Sequence, residues 1–406
     1  MNDVASTIAG FNAGRDGERL RMKYALMRES VLSFYRGTCH LFYQRLAHEH
    51  VLQAGPRVWV SGDLHLQNFG TYKADNGLVY FDINDFDEAC LAPNLFEIVR
   101  LVTGVLVAAD EIELSRAEAL ALCHMAVAAY REALRAGKAR WIEAELAEGM
   151  VSELFDGLGK RSRIDHLDRR TTMDGKKRVL RADGKRALPV DKGTREQVLG
   201  FMTAFAEQQE NREFYRPLDV ARRIAGTGSL GVDRYVILVE GKGSPDGNYL
   251  IDLKEALPSS LAVHISTPQP GWRSDAERVV SVQQRMQAVS QAFLHAVDFN
   301  GRSYVLRSLQ PSEDRVDLGK WNGKLPRLET VVNTMAQLCA WAQLRSGGRQ
   351  GSAIADELIA FGARDDWPVG LIDLAVKAAG QVADDWRAYC ASHDAGAFDV
   401  QAAGRR

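Results

Sequence analysis

Ser61-Gly62-Asp63-Leu64-His65-Leu66-Gln67-Asn68-Phe69-Gly70, followed by Phe81-Asp82-Ile83-Asn84-Asp85-Phe86-Asp87-Glu88, decides how the chain is read. Asp63 and Asn68 stand five positions apart, and a second acidic cluster lies one short hairpin further on. A carboxylate that can take a proton from a hydroxyl, beside amide and carboxylate oxygens that can hold Mg²⁺ against phosphate, is the equipment of phosphoryl transfer. The plain alternative is an acidic loop beside a turn. The flanks argue against it. Val58-Trp59-Val60 is a short apolar run that delivers Gly62-Asp63 to a loop. Asn68 to Tyr72 leaves the loop, Asp75-Asn76-Gly77 signals a tight turn, and Leu78-Val79-Tyr80-Phe81 returns as a strand. Such a hairpin brings Asn68 and Asp82 to one end, where a metal can be shared.

The run Gly62 to Asn68 resembles the catalytic loop of aminoglycoside phosphotransferases and choline kinases, members of the protein-kinase-like fold. The resemblance implies that Asp63 receives the acceptor's hydroxyl proton and that Asn68 binds metal. Asp82, 14 residues after Asn68, is preferred on spacing as the metal-binding Asp. Asp85, in the competing Asp85-Phe86-Asp87, comes second.

A kinase-like site also needs a glycine loop and a lysine. Gly226-Thr227-Gly228-Ser229-Leu230-Gly231 carries the pattern Gly-x-Gly-x-x-Gly. A dinucleotide-binding fingerprint must open a helix. Here Arg234 to Glu240 and Tyr249 to Glu255 alternate as strands around a Gly/Pro/Asp turn. Glycine loop, strand, turn, and strand ending in Lys254 is the arrangement that covers ATP phosphates in kinases. Gly226, Gly228, Ser229, Gly231 and Lys254 are therefore the expected nucleotide-binding residues. Glu277, the one acid well placed near the start of the next helix, is assigned as partner of Lys254. Gln310-Pro311 is the candidate hinge for adenine.

The Asp63 loop precedes the glycine loop by more than 150 residues, the reverse of kinase order. The expected fold is thus α+β, a two-lobed protein-kinase-like fold in circularly permuted order. It has a helical lobe with the catalytic and metal loops (1–215), a small antiparallel nucleotide-binding lobe (216–312) and C-terminal helices completing the helical lobe (313–406). Helices are expected over 15–53, 95–137, 139–155, 195–215, 275–292, 326–346 and 353–391. Glu97 stands either as a buttress of the catalytic loop or as a surface residue.

Nearly the whole chain also resembles a bacterial family known only as domain of unknown function 2252. The matching stretches include Met22-Lys23-Tyr24, Phe34-Tyr35-Arg36-Gly37, the Gly62 loop, Asp219 to Gly231 and Leu253 to Ala256. The stretch after Arg307 departs from the more basic continuation expected of it.

Composition fits a soluble enzyme of 406 residues with net charge −2. No apolar run is long enough to span a bilayer, and no basic-then-apolar leader opens the sequence. Five scattered cysteines without Cys-x-x-Cys spacing read as reduced thiols of a cytoplasmic protein. Lys and Arg supply 11 of the 27 residues from Lys160 to Arg186. Interrupting Asp residues and the lack of aromatics favour a solvated hairpin insert over a nucleic-acid surface. His48 and His50 have no third ligand at useful spacing. The expected activity is ATP- and Mg²⁺-dependent transfer of phosphate to an unidentified hydroxyl-bearing acceptor, a small molecule before a protein. A non-catalytic nucleotide-binding module and an AMP transferase on the same scaffold are the alternatives.

Overall fold

A computed structural model describes residues 3–309 and 314–399, so Gln310-Pro311 lies outside the described residues. The chain opens with α1 (Val4–Phe11), α2 (Gly17–Glu29), α3 (Val31–Gly37), α4 (Cys39–Leu46) and α5 (His50–Gln53). The helical stretch expected over 15–53 is broken at Ser30, whose extended backbone ends α2 while its hydroxyl caps α3 through the Ser33 amide. Strands β1 (Arg57–Val60), β2 (Phe69–Lys73), β3 (Val79–Ile83) and β4 (Cys90–Pro93) follow. β2 and β3 form the expected hairpin, with Phe69 opposite Ile83 and Gly70 opposite Asp82. Gly77 takes a left-handed φ of 86°, and the Asn76 side chain accepts from the Leu78 amide, which closes the turn. β1 pairs with β4, so the Gly62 loop leaves one strand beside the neighbour that the acidic run enters.

Next come α6 (Leu95–Ala108) and α7 (Arg116–Ala136). A Ser115–Glu118 capping box starts α7, and left-handed Gly137 stops it. The helix expected from 139 begins only at Gly149, in α8 (Gly149–Gly159), because the intervening chain is drawn into a bridge between Ile142 and Phe81. Then come α9 (Arg163–Asp168), the hairpin β5 (Thr171–Asp174) and β6 (Lys177–Leu180), β7 (Ala187–Leu188) and α10 (Lys192–Glu207). The sheet strands are β8 (Pro217–Arg223), β9 (Arg234–Val239), β10 (Tyr249–Glu255), β11 (His295–Phe299) and β12 (Arg302–Ser308), with α11 (Asp275–Met286) between β10 and β11. α12 (Leu325–Ser346), α13 (Ala355–Ala363) and α14 (Pro368–Asp394) close the described chain. The helical stretch expected over 353–391 consists of two helices, parted ahead of Pro368, which starts α14.

The fold is mixed α+β. The strands of the six-stranded antiparallel sheet run in the order β11-β12-β10-β9-β8-β7. Alternation along β10 sorts its side chains. Ile251 and Leu253 pack with Ile237, Val239 and the α10 residues Val198 and Met202. Leu250, on the opposite face with Asp252 and Lys254, packs with Val236, Leu238 and Leu167 of α9. The basic insert therefore covers part of the sheet as well as meeting solvent. β7 and α10 precede residue 216 yet belong to this sheet and its core. The largest core gathers most of the helices around β1, β3 and β4, with α6 at its centre and buried almost all round.

Candidate active site

The catalytic-loop motif leaves β1 at Ser61, and a buried acid holds it there. The Ser61 amide and hydroxyl both donate to Glu97 Oε1 of α6, at 2.5 and 2.6 Å. Gln343 of α12 donates to Glu97 Oε2 at 3.2 Å. Glu97 is fully buried, so of its two readings the buttress is the one the structure carries. Burial pushes its carboxyl above the usual range, opposed by the Ser61 bonds. Gly62 adopts a φ of 84°, and a Cβ there would lie 2.1 Å from the Glu88 carbonyl oxygen. Only glycine lets the acidic run approach this closely.

Asp63 Oδ1 accepts from Arg100 Nε at 2.9 Å. Arg100 is itself buried, lies 3.5 Å over the Tyr35 ring and donates to the Tyr35 carbonyl. Burial pushes Asp63 up to about 7 against the pull of Arg100, with Glu88 and Asp85 adding to the rise. His65 is held well below its ordinary value by burial and by Arg36, Arg100 and Arg315. It is thus neutral, and its Nδ1 accepts from the Gln67 amide, which shapes the loop. The Asn68 amide donates to the Asp63 carbonyl at 2.5 Å.

Two expected residues stand elsewhere. Asp82 sits within β3, opposite Gly70, and its carboxylate accepts from the Ile83 and Ala288 amides at 2.8 and 3.2 Å. Arg345 lies 3.7 Å away. Strand alternation turns Asp82, preferred on spacing, away from the cavity, whereas Asp85, just beyond the strand, lines it. Burial would raise Asp85, yet Lys254, Arg307, Arg234 and Arg315 together bring it below the usual carboxylate range. Glu277 is the second. It occupies the first turn of α11, where Ser274 caps the helix, and it binds the Arg273 amide and guanidinium at 2.7 and 2.8 Å. Lys254 pairs with Asp87 instead.

The glycine loop meets the N-terminal helices, a contact that nothing in the sequence pattern announces. Lys23 Nζ and Arg15 Nη1 donate to the Gly228 carbonyl at 3.1 and 3.2 Å, and the Asp16 amide donates to the Gly231 carbonyl at 2.9 Å. Gly226 and Gly231 carry left-handed φ values of 71° and 91°. A Cβ at Gly228 would lie 3.2 Å from the Arg36 carbonyl oxygen.

One cavity of about 1490 Å³ collects Asp63, Asn68, Asp85, Lys254 and the loop residues Gly226, Gly228, Ser229 and Gly231. Neither Asp82 nor Glu277 lines it. Among the described residues no group of three or more His, Cys, Asp or Glu side chains is placed to hold a metal alone. A Mg²⁺ ion bound through phosphate needs only one or two protein oxygens, and the amide of Asn68 with the carboxylate of Asp85 fits that donor set. The five cysteines are free thiols, and no helix among the described residues is long and apolar enough to cross a membrane.

Compared with known proteins, the chain matches no curated relative and no solved structure. Residues 15–392 match one family model, DUF2252, described as an uncharacterized protein conserved in bacteria. That match takes in the Gly62 loop, the acidic run, the glycine loop and Lys254 together, and the chain belongs to this family.

Proposed function

We propose that the protein transfers a phosphoryl group from Mg²⁺-ATP to the hydroxyl of a small-molecule acceptor. The observation that carries this reading is the convergence of Asp63, Asn68, Asp85, Lys254 and the glycine loop on one cavity, although they are scattered from residue 63 to residue 254. The element order supports a kinase-like nucleotide lobe: glycine loop between β8 and β9, lysine on β10, then α11, β11 and β12. With the catalytic loop ahead of that lobe, the order is circularly permuted. On this reading the helical units 1–215 and 313–406 flank the sheet unit 216–312, which also takes in β7 and α10.

Asp63, held near neutrality, accepts the acceptor's hydroxyl proton, and Arg100 fixes its orientation. Lys254 exchanges Asp87 for phosphate oxygens. Asn68 and Asp85 hold Mg²⁺, which when bound neutralises charge on the phosphates. Positioning supplies most of the rate, because little covalent chemistry falls to the protein. Free thiols and a supply of ATP suit a cytoplasmic setting.

AMP transfer on the same scaffold is the second reading. Calorimetric titration with ATP, with and without Mg²⁺, tests nucleotide binding. Product analysis then separates ADP release from pyrophosphate release. Absence of ATP binding under both conditions overturns both readings.

A further inference from the structure

Two arginines line the cavity outside the set just described. Arg36 lies on the last turn of α3, directly beneath Gly228, and Arg315 follows the described break after β12. Arg36 Nε is buried with no hydrogen-bond partner. Neither guanidinium makes an ion pair with any of the described residues, whereas the buried Arg100, Arg234 and Arg278 are held by acids or carbonyls. Arg36 and Arg315 line the same cavity as Asp63, Asp85 and the glycine loop. Burial and then the charge of Arg315 lower Arg36 to about 10, opposed by Asp63, Glu111 and Asp85. Asp85 is the largest opposing influence on Arg315.

A guanidinium nitrogen left without a partner in the interior, as Arg36 Nε is, is costly. Two neighbouring guanidiniums are well matched to a ligand of charge −2 whose oxygens accept their forked donors. We propose that Arg36 and Arg315 form a phosphate-binding subsite that takes a dianionic phosphate group of the ligand in this cavity. The group comes either from the terminal phosphate of a nucleotide or from a phosphate carried by the acceptor. The proposal rests on the phosphotransfer reading only for the nucleotide source.

The test titrates the full-length protein with Mg²⁺-ATP, Mg²⁺-ADP and inorganic pyrophosphate, and then titrates ADP-saturated protein with inorganic phosphate. Wild type is compared with Arg36→Gln and Arg315→Gln. The subsite requires a loss of about tenfold or more in affinity for at least one phosphate probe in both variants. It also requires a melting temperature that is unchanged or raised, since each variant removes a partly buried charge with no ion pair among the described residues. Loss confined to ATP, with ADP unaffected, assigns the terminal phosphate of the nucleotide. Loss confined to inorganic phosphate on the ADP complex assigns the acceptor. Unchanged affinity for every probe overturns the proposal, as does a wild type that binds none of them. A lowered melting temperature in both variants, restored by neither Arg36→Lys nor Arg315→Lys, assigns a structural role and also overturns it. Arginine-dependent pyrophosphate binding without ATP binding sinks the phosphotransfer reading and leaves the subsite standing. ATP binding that needs Lys254 but neither arginine does the reverse.

Discussion

Lys254 pairs with Asp87, 167 positions earlier in the chain, and not with Glu277 on the helix that follows its own strand. The ion pair ties the sheet directly to the acidic run. α11 is fastened separately, through Arg278 to the Ala89 and Leu257 carbonyls and through Gln287 to the Ile83 carbonyl. Lysine positioning therefore does not depend on a carboxylate of α11.

Lys254→Met should weaken ATP binding by at least about tenfold, the scale of a lost charge-assisted hydrogen bond. Glu277→Ala should leave the affinity within about twofold, since its loss falls on a solvent-screened pair with Arg273. Calorimetry on both variants checks the contrast, and a larger effect from Glu277 than from Lys254 refutes it.

Asp85 and Asp82 should separate metal binding from stability. Asp85→Ala should abolish the Mg²⁺ dependence of ATP binding. Asp82→Ala should keep the Mg²⁺ dependence and lose about 1–3 kcal/mol, because it strands buried amides at Ile83 and Ala288. Urea unfolding and Mg²⁺ titration of the two variants read the two effects.

Turnover at saturating Mg²⁺-ATP should rise with pH through about 7, as Asp63 loses its proton and becomes a base. Stability runs the other way. Burial places the folded-state pKa of Asp63 above its unfolded value, so the folded chain binds the extra proton between about pH 4 and pH 7. That contribution is complete below the unfolded value and is lost as pH rises through about 7. Asp63→Asn should abolish turnover, retain ATP binding and flatten the fall in melting temperature between pH 5 and pH 8. A variant whose melting temperature falls as steeply as that of the wild type contradicts the assignment.

Gly62→Ala should cost more than about 2 kcal/mol and impair turnover together. The new Cβ meets the Glu88 carbonyl, and the left-handed backbone adds strain. Glu97→Ala should cost about 2–4 kcal/mol by leaving the Ser61 amide and hydroxyl without their acceptor in the core. Denaturant midpoints measure both, and a neutral result in either case refutes its contact.

The hairpin, the glycine loop's flanking strands and Lys254 were legible because their signals are local. A turn tripeptide, period-2 alternation and a glycine pattern each sit within a dozen residues. Asp82, preferred on spacing, lies off the cavity because spacing counts residues, whereas a strand assigns side chains to faces by parity. Glu277 was misjudged because the reading looked for the lysine's partner on the next helix, while Asp87 arrives from a hairpin that folds elsewhere. Arg36 stood within a stretch that carries the family resemblance, but neither it nor Arg315 was singled out. Nothing in a sequence marks an arginine as unpaired, since pairing is a property of the packed chain. The helical run over 15–53 was read in outline, but not its contact with Gly228, which joins residues more than 200 positions apart.

That long reach between the α2 lysine and the Gly228 carbonyl has a consequence for synthesis. The catalytic loop leaves the ribosome with its acids in water, and the glycine loop, Lys254 and most of the arginines that answer them follow well over a hundred residues later. Until the glycine loop emerges α2 lacks its counterpart, and until β10 emerges the acidic run lacks its lysine. A nascent chain stalled before residue 226 should hold the helices around α6 and no nucleotide, so competence to bind would arrive late and in one step.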